Sequence, residues 1–599
     1  MFHRIPSLLN WVAVIWILLL SGLSARQQAI GEELIRLLPE STMVYAYVSP
    51  AQNILQHPLR KTIQDSEPFQ QLWNSEELKE LRGGIAFVEL LLGAKWERLA
   101  QYLSLEGVHL AIDKKTKGIL LLSKTRSTRW LKDYLAKIVS LARNDATNKK
   151  QPDPVKQTTY REVDGFEINK VIFAQMDDTL LVCNRGELAK AVIDRFSDPS
   201  ISGLNSMDFY RHATADLQLH PSFQEKPIAW VIADVDAVRS SGIARELFSS
   251  KPRDFAAELL LGGVLMLAKK TPWAAGILIW EENTARLCVI SPSEKAWFRD
   301  KHEFYVGPEA SGTEVSAFPD HGSIASLSTY RNLSELWLRA GDLFNQNTND
   351  QLAQADNTLT TLFSGKDFGT DILGAIEPQI QLLVREQIFA NQLQPSIRLP
   401  SFAFVGTLKQ PEGMQRELKR IFQSFIGFLN IVGAMEGRAQ LDLDSALTAS
   451  SKIYWAEYIA DTDKKYANGL PIEFNFSPAL AFYEDKIVLA SSIHLAKELV
   501  VEASRLSPME VRPTDHTVMT IDTVQVKRLL NDNRDQLISQ NMLEKGNSKK
   551  AASREIETLL SLLSLIERFD ARLVFDPRAD LEMEMRFQAG TSEPDGANP

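Results

Sequence analysis

Residues 174–190, AQMDDTLLVCNRGELAK, align without a gap on residues 481–497, AFYEDKIVLASSIHLAK. An internal copy limits a fold more than any single residue, because each copy must bury its apolar face in the same way. Five of the 17 aligned positions are identical: Ala174/Ala481, Asp178/Asp485, Leu188/Leu495, Ala189/Ala496 and Lys190/Lys497. Average composition gives about one identity by chance. Replacements keep character, Leu180 to Ile487 and Leu181 to Val488.

The offset of this pair is 307 residues. Three further pairs run in the same order. Ala46–Ile54 matches Ala325–Leu333 at an offset of 279, Val231–Arg239 matches Met519–Lys527 at 288, and Ala275–Val289 matches Asp570–Glu584 at 295. The four values bracket 287, half of the chain that follows residue 25. The pattern predicts a first copy over 26–317 and a second over 318–589. A Gly-, Pro- and Ser-rich linker at Gly307–Ser323 joins them, and a disordered tail occupies 590–599.

Hydrophobic periodicity supplies the elements of the first copy. Met43–Val48 reads as a strand, and residues 59–82 carry helical patterning. GVHLAID and GILLLSK form a hairpin around Lys114–Lys117, and VIFAQM and TLLVCN form another around Asp177–Asp178. Thr128–Ala142 and Glu187–Phe196 are amphipathic helices. AWVIADV, an apolar helix at Phe255–Ala268 and the hairpin GILIW/RLCVI follow. Strand pairs on short turns predict antiparallel sheets with helices packed on them, an α+β fold in two tandem copies of one unit. Asp145–Gln157 and the polar stretch around Asn345–Asn357 read as loops.

His3 and Arg4, the apolar run Trp11–Leu20 and the small residues Ser21, Gly22, Ser24 and Ala25 have the parts of a secretory signal peptide over residues 1–25. The run is short of the roughly 20 apolar residues that a permanent span needs. The expected location is therefore the periplasm, cell envelope or exterior, with membrane contact only through an uncleaved N-terminal segment. A formal net charge of −10 disfavours nucleic acid as a partner, since phosphate binding wants a basic stripe. Two cysteines, Cys183 and Cys288, exclude a disulfide-rich scaffold. Both sit in apolar runs and read as small buried thiols, a single bridge being the alternative.

No motif carries chemistry. The acidic pairs Asp177–Asp178 and Glu484–Asp485 have the residue types for calcium or acid–base work. Each also lies between two short apolar strands, where a turn wants Asp or Asn. The nine histidines form no metal-binding spacing, and His109 reads as half-buried in a strand. GxSxG, CxxC, P-loop and GxGxxG motifs are all missing from the sequence. Gly83–Gly84 and Gly262–Gly263 read as helix kinks or tight core contacts, and Ser311 as a linker serine. No catalytic, cofactor or metal residue is nominated.

Four unusually apolar helical runs are left: Ile85–Leu92, Phe255–Ala268, Ile421–Val432 and Leu559–Ile566. They read as core helices buried nearly all round. Their alternative is a groove between helix and sheet that holds a lipid or other apolar ligand.

The start LPESTMVYAYVSP, the stretch Tyr160–Asp194, LPSFAFVGTL at Leu399–Leu408 and Asn475–Ser492 resemble a planctomycete-type family of secreted bacterial proteins, a domain of unknown function. The resemblance implies export and brings no activity, cofactor or catalytic residue. The expectation is an exported, non-enzymatic protein that binds an unknown protein or an apolar small molecule. A secreted hydrolase with a site assembled from distant residues ranks last.

Overall fold

Asp177 and Glu484 both take a left-handed backbone with φ of 52°. Each is the first residue of a two-residue turn, and the two lie 307 positions apart. The second turn residue works through its backbone: the Asp178 carbonyl accepts from the Thr125 N–H at 2.9 Å, and the Asp485 carbonyl from the Leu408 N–H at 2.8 Å. The acidic pairs are therefore hairpin turns tied to a third strand.

The computed structural model describes residues 32–589, apart from 75–77, 243–247, 249–254, 299–301, 308–321, 363–364, 390–393, 449–450, 461–468, 505–514 and 576–579. The signal-peptide segment, most of the expected linker with Ser311, and the tail lie outside the described residues. The chain divides into two compact units. The first holds residues up to Phe248 and Thr271–Pro292; the second holds Ser249–Lys270 and Ser293–Gln588. The helix Phe255–Lys270, which precedes a strand of the first unit in the chain, thus belongs to the second.

The first unit contains β1 (Thr42–Val48), β2 (Val108–Asp113), β3 (Ile119–Lys124), β4 (Val155–Tyr160), β5 (Val163–Ile168), β6 (Val171–Met176), β7 (Thr179–Cys183), β8 (Ala229–Asp234), β9 (Trp273–Trp280) and β10 (Thr284–Pro292). Their pairings are all antiparallel and run β4-β5-β6-β7-β3-β2-β1-β8-β9-β10.

The second unit contains β11 (Ser323–Tyr330), β12 (Gln379–Arg385), β13 (Ser401–Thr407), β14 (Leu441–Leu447), β15 (Ser451–Tyr458), β16 (Ala479–Tyr483), β17 (Lys486–Ala490), β18 (Asp515–Asp522), β19 (Ile566–Phe575) and β20 (Asp580–Ala589). The antiparallel order is β14-β15-β16-β17-β13-β12-β11-β18-β19, with β20 following β19. Each strand of the first unit has a counterpart ten numbers on. The α+β, antiparallel expectation holds.

Strand register sharpens the comparison. Asp234 and Asp522, 288 apart, each end a strand and cap the next helix, accepting from the N–H of Ala237 and Gln525. Ala233 and Ile521 are paired on one side with Ala274 and Phe569, 295 apart. On the other side they pair with Val44 and Ala325, 281 apart. Offsets of 288 and 295 are those of the segment matches, whereas β1 and β11 correspond at 281, not 279. A slip of two residues keeps every side chain on its face, which is why sequence similarity tolerates it. Irregularities between Thr42 and Val44 and between Ser323 and Ala325 also correspond at 281.

In each unit two helices cover opposite faces of the β6–β7 or β16–β17 hairpin. The helix Gly186–Ser197 buries Leu188, Ala189, Val192 and Ile193 against Ala174, Leu181 and Cys183. The helix Ile493–Ala503 buries Leu495, Ala496, Leu499 and Val500 against Ala481, Val488 and Ala490. Lys190 and Lys497, identical in the alignment, each lay their ammonium over an aromatic ring, Tyr160 at 5.3 Å and Trp455 at 4.7 Å.

Some expectations need correction. The polar stretch near Asn345–Asn357 is not a loop but the helix Gln346–Leu362, started by Asn345, whose side chain accepts from the Thr348 N–H. The loop expected at Asp145–Gln157 is shortened at both ends, by the helix Thr128–Asn148 and by β4. Ile566 opens β19 instead of ending a helix. His109 is fully buried, with Nδ1 2.9 Å from the Tyr45 hydroxyl. Cys183 and Cys288 are both buried, and neither is in a disulfide. Five strands separate β7 from β10 in the sheet order, and strands lie about 4.8 Å apart, so the thiols are not placed to bridge.

Candidate apolar groove

The long helix Pro411–Met435 carries the apolar run of greatest consequence. Pro411 opens it, where a missing N–H costs nothing, and Gly437 closes it with φ of 69°. Leu418, Phe422 and Ile426 recur every four residues and are buried against Leu480, Phe482, Ile487, Tyr454 and Ala456. No later residue of the helix is buried. Asn430 fastens this second half to the edge strand β14: its Nδ2 donates to the Leu441 carbonyl at 2.9 Å, and its Oδ1 accepts from the Leu441 N–H at 2.7 Å.

Between that second half and one end of the sheet lies a groove of about 470 Å³, within the range of ligand pockets. Phe425 and Leu429 form the helix wall. Phe402 of β13 and Leu489 and Ala490 of β17 form the sheet wall, and Leu441, Tyr458, Phe476, Pro478 and Ser491 complete the lining. None of the ten is charged. Phe402, Phe425 and Leu489 remain 54%, 40% and 42% exposed, so three large apolar side chains meet at an open site. The Ser491 hydroxyl already accepts from the Phe402 N–H at 2.9 Å. Burial raises the Tyr458 phenol above its ordinary range, Glu473 adds to the shift and Arg438 opposes it. It stays protonated at neutral pH and joins the Ser491 hydroxyl as one of two polar groups in a mostly apolar lining. This arrangement can desolvate a hydrocarbon chain.

The counterpart of Leu489 in the first unit is Val182, 307 residues earlier. Val182 packs with Trp130, Tyr134, Phe166 and Phe173 beneath the helix Thr128–Asn148, and the Phe166 and Phe173 rings stack 5.3 Å apart.

The residues richest in chemistry hold the core instead. Arg331 is 1% exposed, lies 3.6 Å over the Tyr305 ring and donates to the carbonyls of Leu259, Leu260 and Tyr330. A Cβ on Gly263 would sit 2.0 Å from the Tyr305 ring, so the Gly262–Gly263 pair admits that ring against the helix backbone. His516 Nε2 lies 2.5 Å from the Tyr305 carbonyl, and Glu258 lies 3.2 Å from His302. Arg385 bridges to Glu498 and Glu502 at 2.9 and 2.8 Å, fastening β12 to the helix Ile493–Ala503.

The apolar runs differ from the all-round burial expected of them: Leu90, Leu260, Leu261, Leu559 and Leu562 are exposed, as are Phe425, Phe428, Ile431 and Val432. The groove itself escaped sequence reasoning, because its walls come from positions up to 89 residues apart. Its signal was the uncharged run Ile421–Val432, too long on its apolar face for one packing stripe.

No family model matches the chain, and no curated protein does. Among solved structures, crystal form IV of TP0453 is similar at 10% identity and a TM-score of 0.22, covering 43% of this chain and 79% of that one. Crystal form I of TP0453 gives 8%, 0.24, 44% and 78%. Likeness at this level carries no argument about fold or function.

Proposed function

We propose that this is an exported, non-enzymatic binding protein built from two copies of one duplicated α+β unit. Its second unit holds an apolar ligand of the acyl-chain type in the groove beside Phe425. The observation that carries the ligand class is the groove: ten uncharged lining residues, open to solvent, with Tyr458 as a donor for a polar end. Duplication is supported by the common strand order and by register offsets of 307, 288 and 295. Export is supported by the basic start and apolar run of residues 1–25, and the planctomycete-type family by the sequence resemblance.

Each buried methylene contributes about 0.8 kcal/mol, close to fourfold in affinity. In a series of saturated fatty acids, measured by displacement of a fluorescent analogue, affinity should rise about fourfold per added methylene until the groove is filled, then level off. A series without chain-length dependence contradicts the reading.

A further inference from the structure

The helix Pro411–Met435 has a second apolar face that the core does not use. Phe425, Phe428, Ile431, Val432 and Met435 are 40%, 43%, 65%, 37% and 84% exposed. At 3.6 residues per turn they fall within about a third of the circumference, beside the buried stripe of Leu418, Phe422 and Ile426. From Ile421 to Met435 the helix carries no charged residue. Its cations Arg416, Lys419 and Arg420 all lie before the uncharged run. Phe425 belongs both to this face and to the groove wall, so the two apolar surfaces are continuous.

We propose that this face is a membrane-docking surface, seating the second half of the helix in the outer hydrocarbon of a lipid bilayer with the groove mouth beside it. The proposal rests on the acyl-chain reading of the groove, because a hydrocarbon ligand needs an apolar path from bilayer to site. A second copy of the chain fits less well. The five residues expose less than three full side chains' worth. At roughly 150–250 Å² for a large side chain that is on the order of 550 Å², whereas a stable dimer buries about 800 Å² on each partner. A bilayer sets no such minimum and asks only for an uncharged apolar face that enters about 5–10 Å. A charge on that face opposes entry strongly.

The test is flotation of the exported chain, freed of residues 1–25, with phosphatidylcholine vesicles in a density gradient, run beside fatty-acid affinity and solution mass. Wild type should float, and F428E/I431E should float at least tenfold less with unchanged fatty-acid affinity, since neither residue lines the groove. L489E should lose fatty acid and still float. Both substituted positions of the double variant are exposed, and M435E alone, at the most exposed position, should reduce flotation in the same direction. Wild type that stays at the bottom, or a double variant that floats like wild type, overturns the proposal. So does a wild-type dimer that F428E/I431E converts to monomer without any vesicle binding. Flotation of wild type with no fatty-acid binding supports the docking surface and sinks the groove reading alone.

Discussion

Leu489→Glu is expected to lower affinity for a long-chain fatty acid at least a hundredfold and to leave the fold nearly as stable as before. Leu489 sits in β17 opposite Phe404 and Leu480, on the face covered in part by the helix Pro411–Met435. At 42% exposure a carboxylate there still reaches water in the free protein, so folding loses little. With a hydrocarbon chain in the groove the same carboxylate is covered and has no cationic partner in the lining. Leaving an ion in such a place costs several kcal/mol, and a hundredfold needs only about 2.7 kcal/mol. Leu489→Met, which conserves volume, should bind within a few fold of wild type. Displacement of a fluorescent fatty acid, with a thermal melt on each variant, separates loss of binding from loss of fold.

The second large effect is acid destabilisation between pH 6.5 and 4.5. Burial, with Lys124 adding to it, pushes the His109 imidazole down to about 4. Burial also pushes His516 down to about 3; Arg331 adds to that shift and the bond to the Tyr305 carbonyl opposes it. An unfolded histidine titrates near 6.5. Above that pH both states are neutral and the stability is fully present. Below it the unfolded chain takes up a proton that the native site refuses, so stability falls as pH falls toward the native values. Each histidine then costs about 1.4 kcal/mol per pH unit, or on the order of 3 kcal/mol by pH 4.5. His109 lies in the first unit and His516 in the second, so each unit loses this amount. Most carboxylates protonate below that window, which isolates the histidines. Urea unfolding at pH 7, 5.5 and 4.5 should show the loss, and His516→Phe should flatten it for the second unit only. An unchanged pH slope in that variant contradicts the assignment.

What could be read in the sequence follows from how local each signal is. The hairpin at Asp177–Asp178 and the one at Glu484–Asp485 are stated by a few residues each: apolar alternation, then a turn. The strands β4 and β5 were harder, since their turns at Arg161–Glu162 and Asn169–Lys170 use left-handed residues without glycine. The helix Gln346–Leu362 was hidden by its Asn, Asp, Gln and Thr content; Trp337 holds it by donating to Asp356 at 2.9 Å, a contact that no local pattern announces. Periodicity identified Ile421–Val432 as a helix, but it cannot say which of two apolar faces meets the core. That choice is made by Leu480, Phe482 and Ile487, roughly 60 residues later, and by Asn430 reaching Leu441. The groove is what the choice leaves over, so it exists only in three dimensions.

The most direct measurement is to locate a bound chain. A fatty acid carrying a photoactivatable group near its terminal carbon, irradiated with the full-length protein and mapped by peptide mass spectrometry, should place its adducts on the groove walls. The expected peptides are those holding Phe402, Phe425 with Leu429, Tyr458, and Phe476 with Pro478, and the adducts should disappear in Leu489→Glu. Adducts confined to the first unit, or spread over the chain and unaffected by that substitution, would contradict the account.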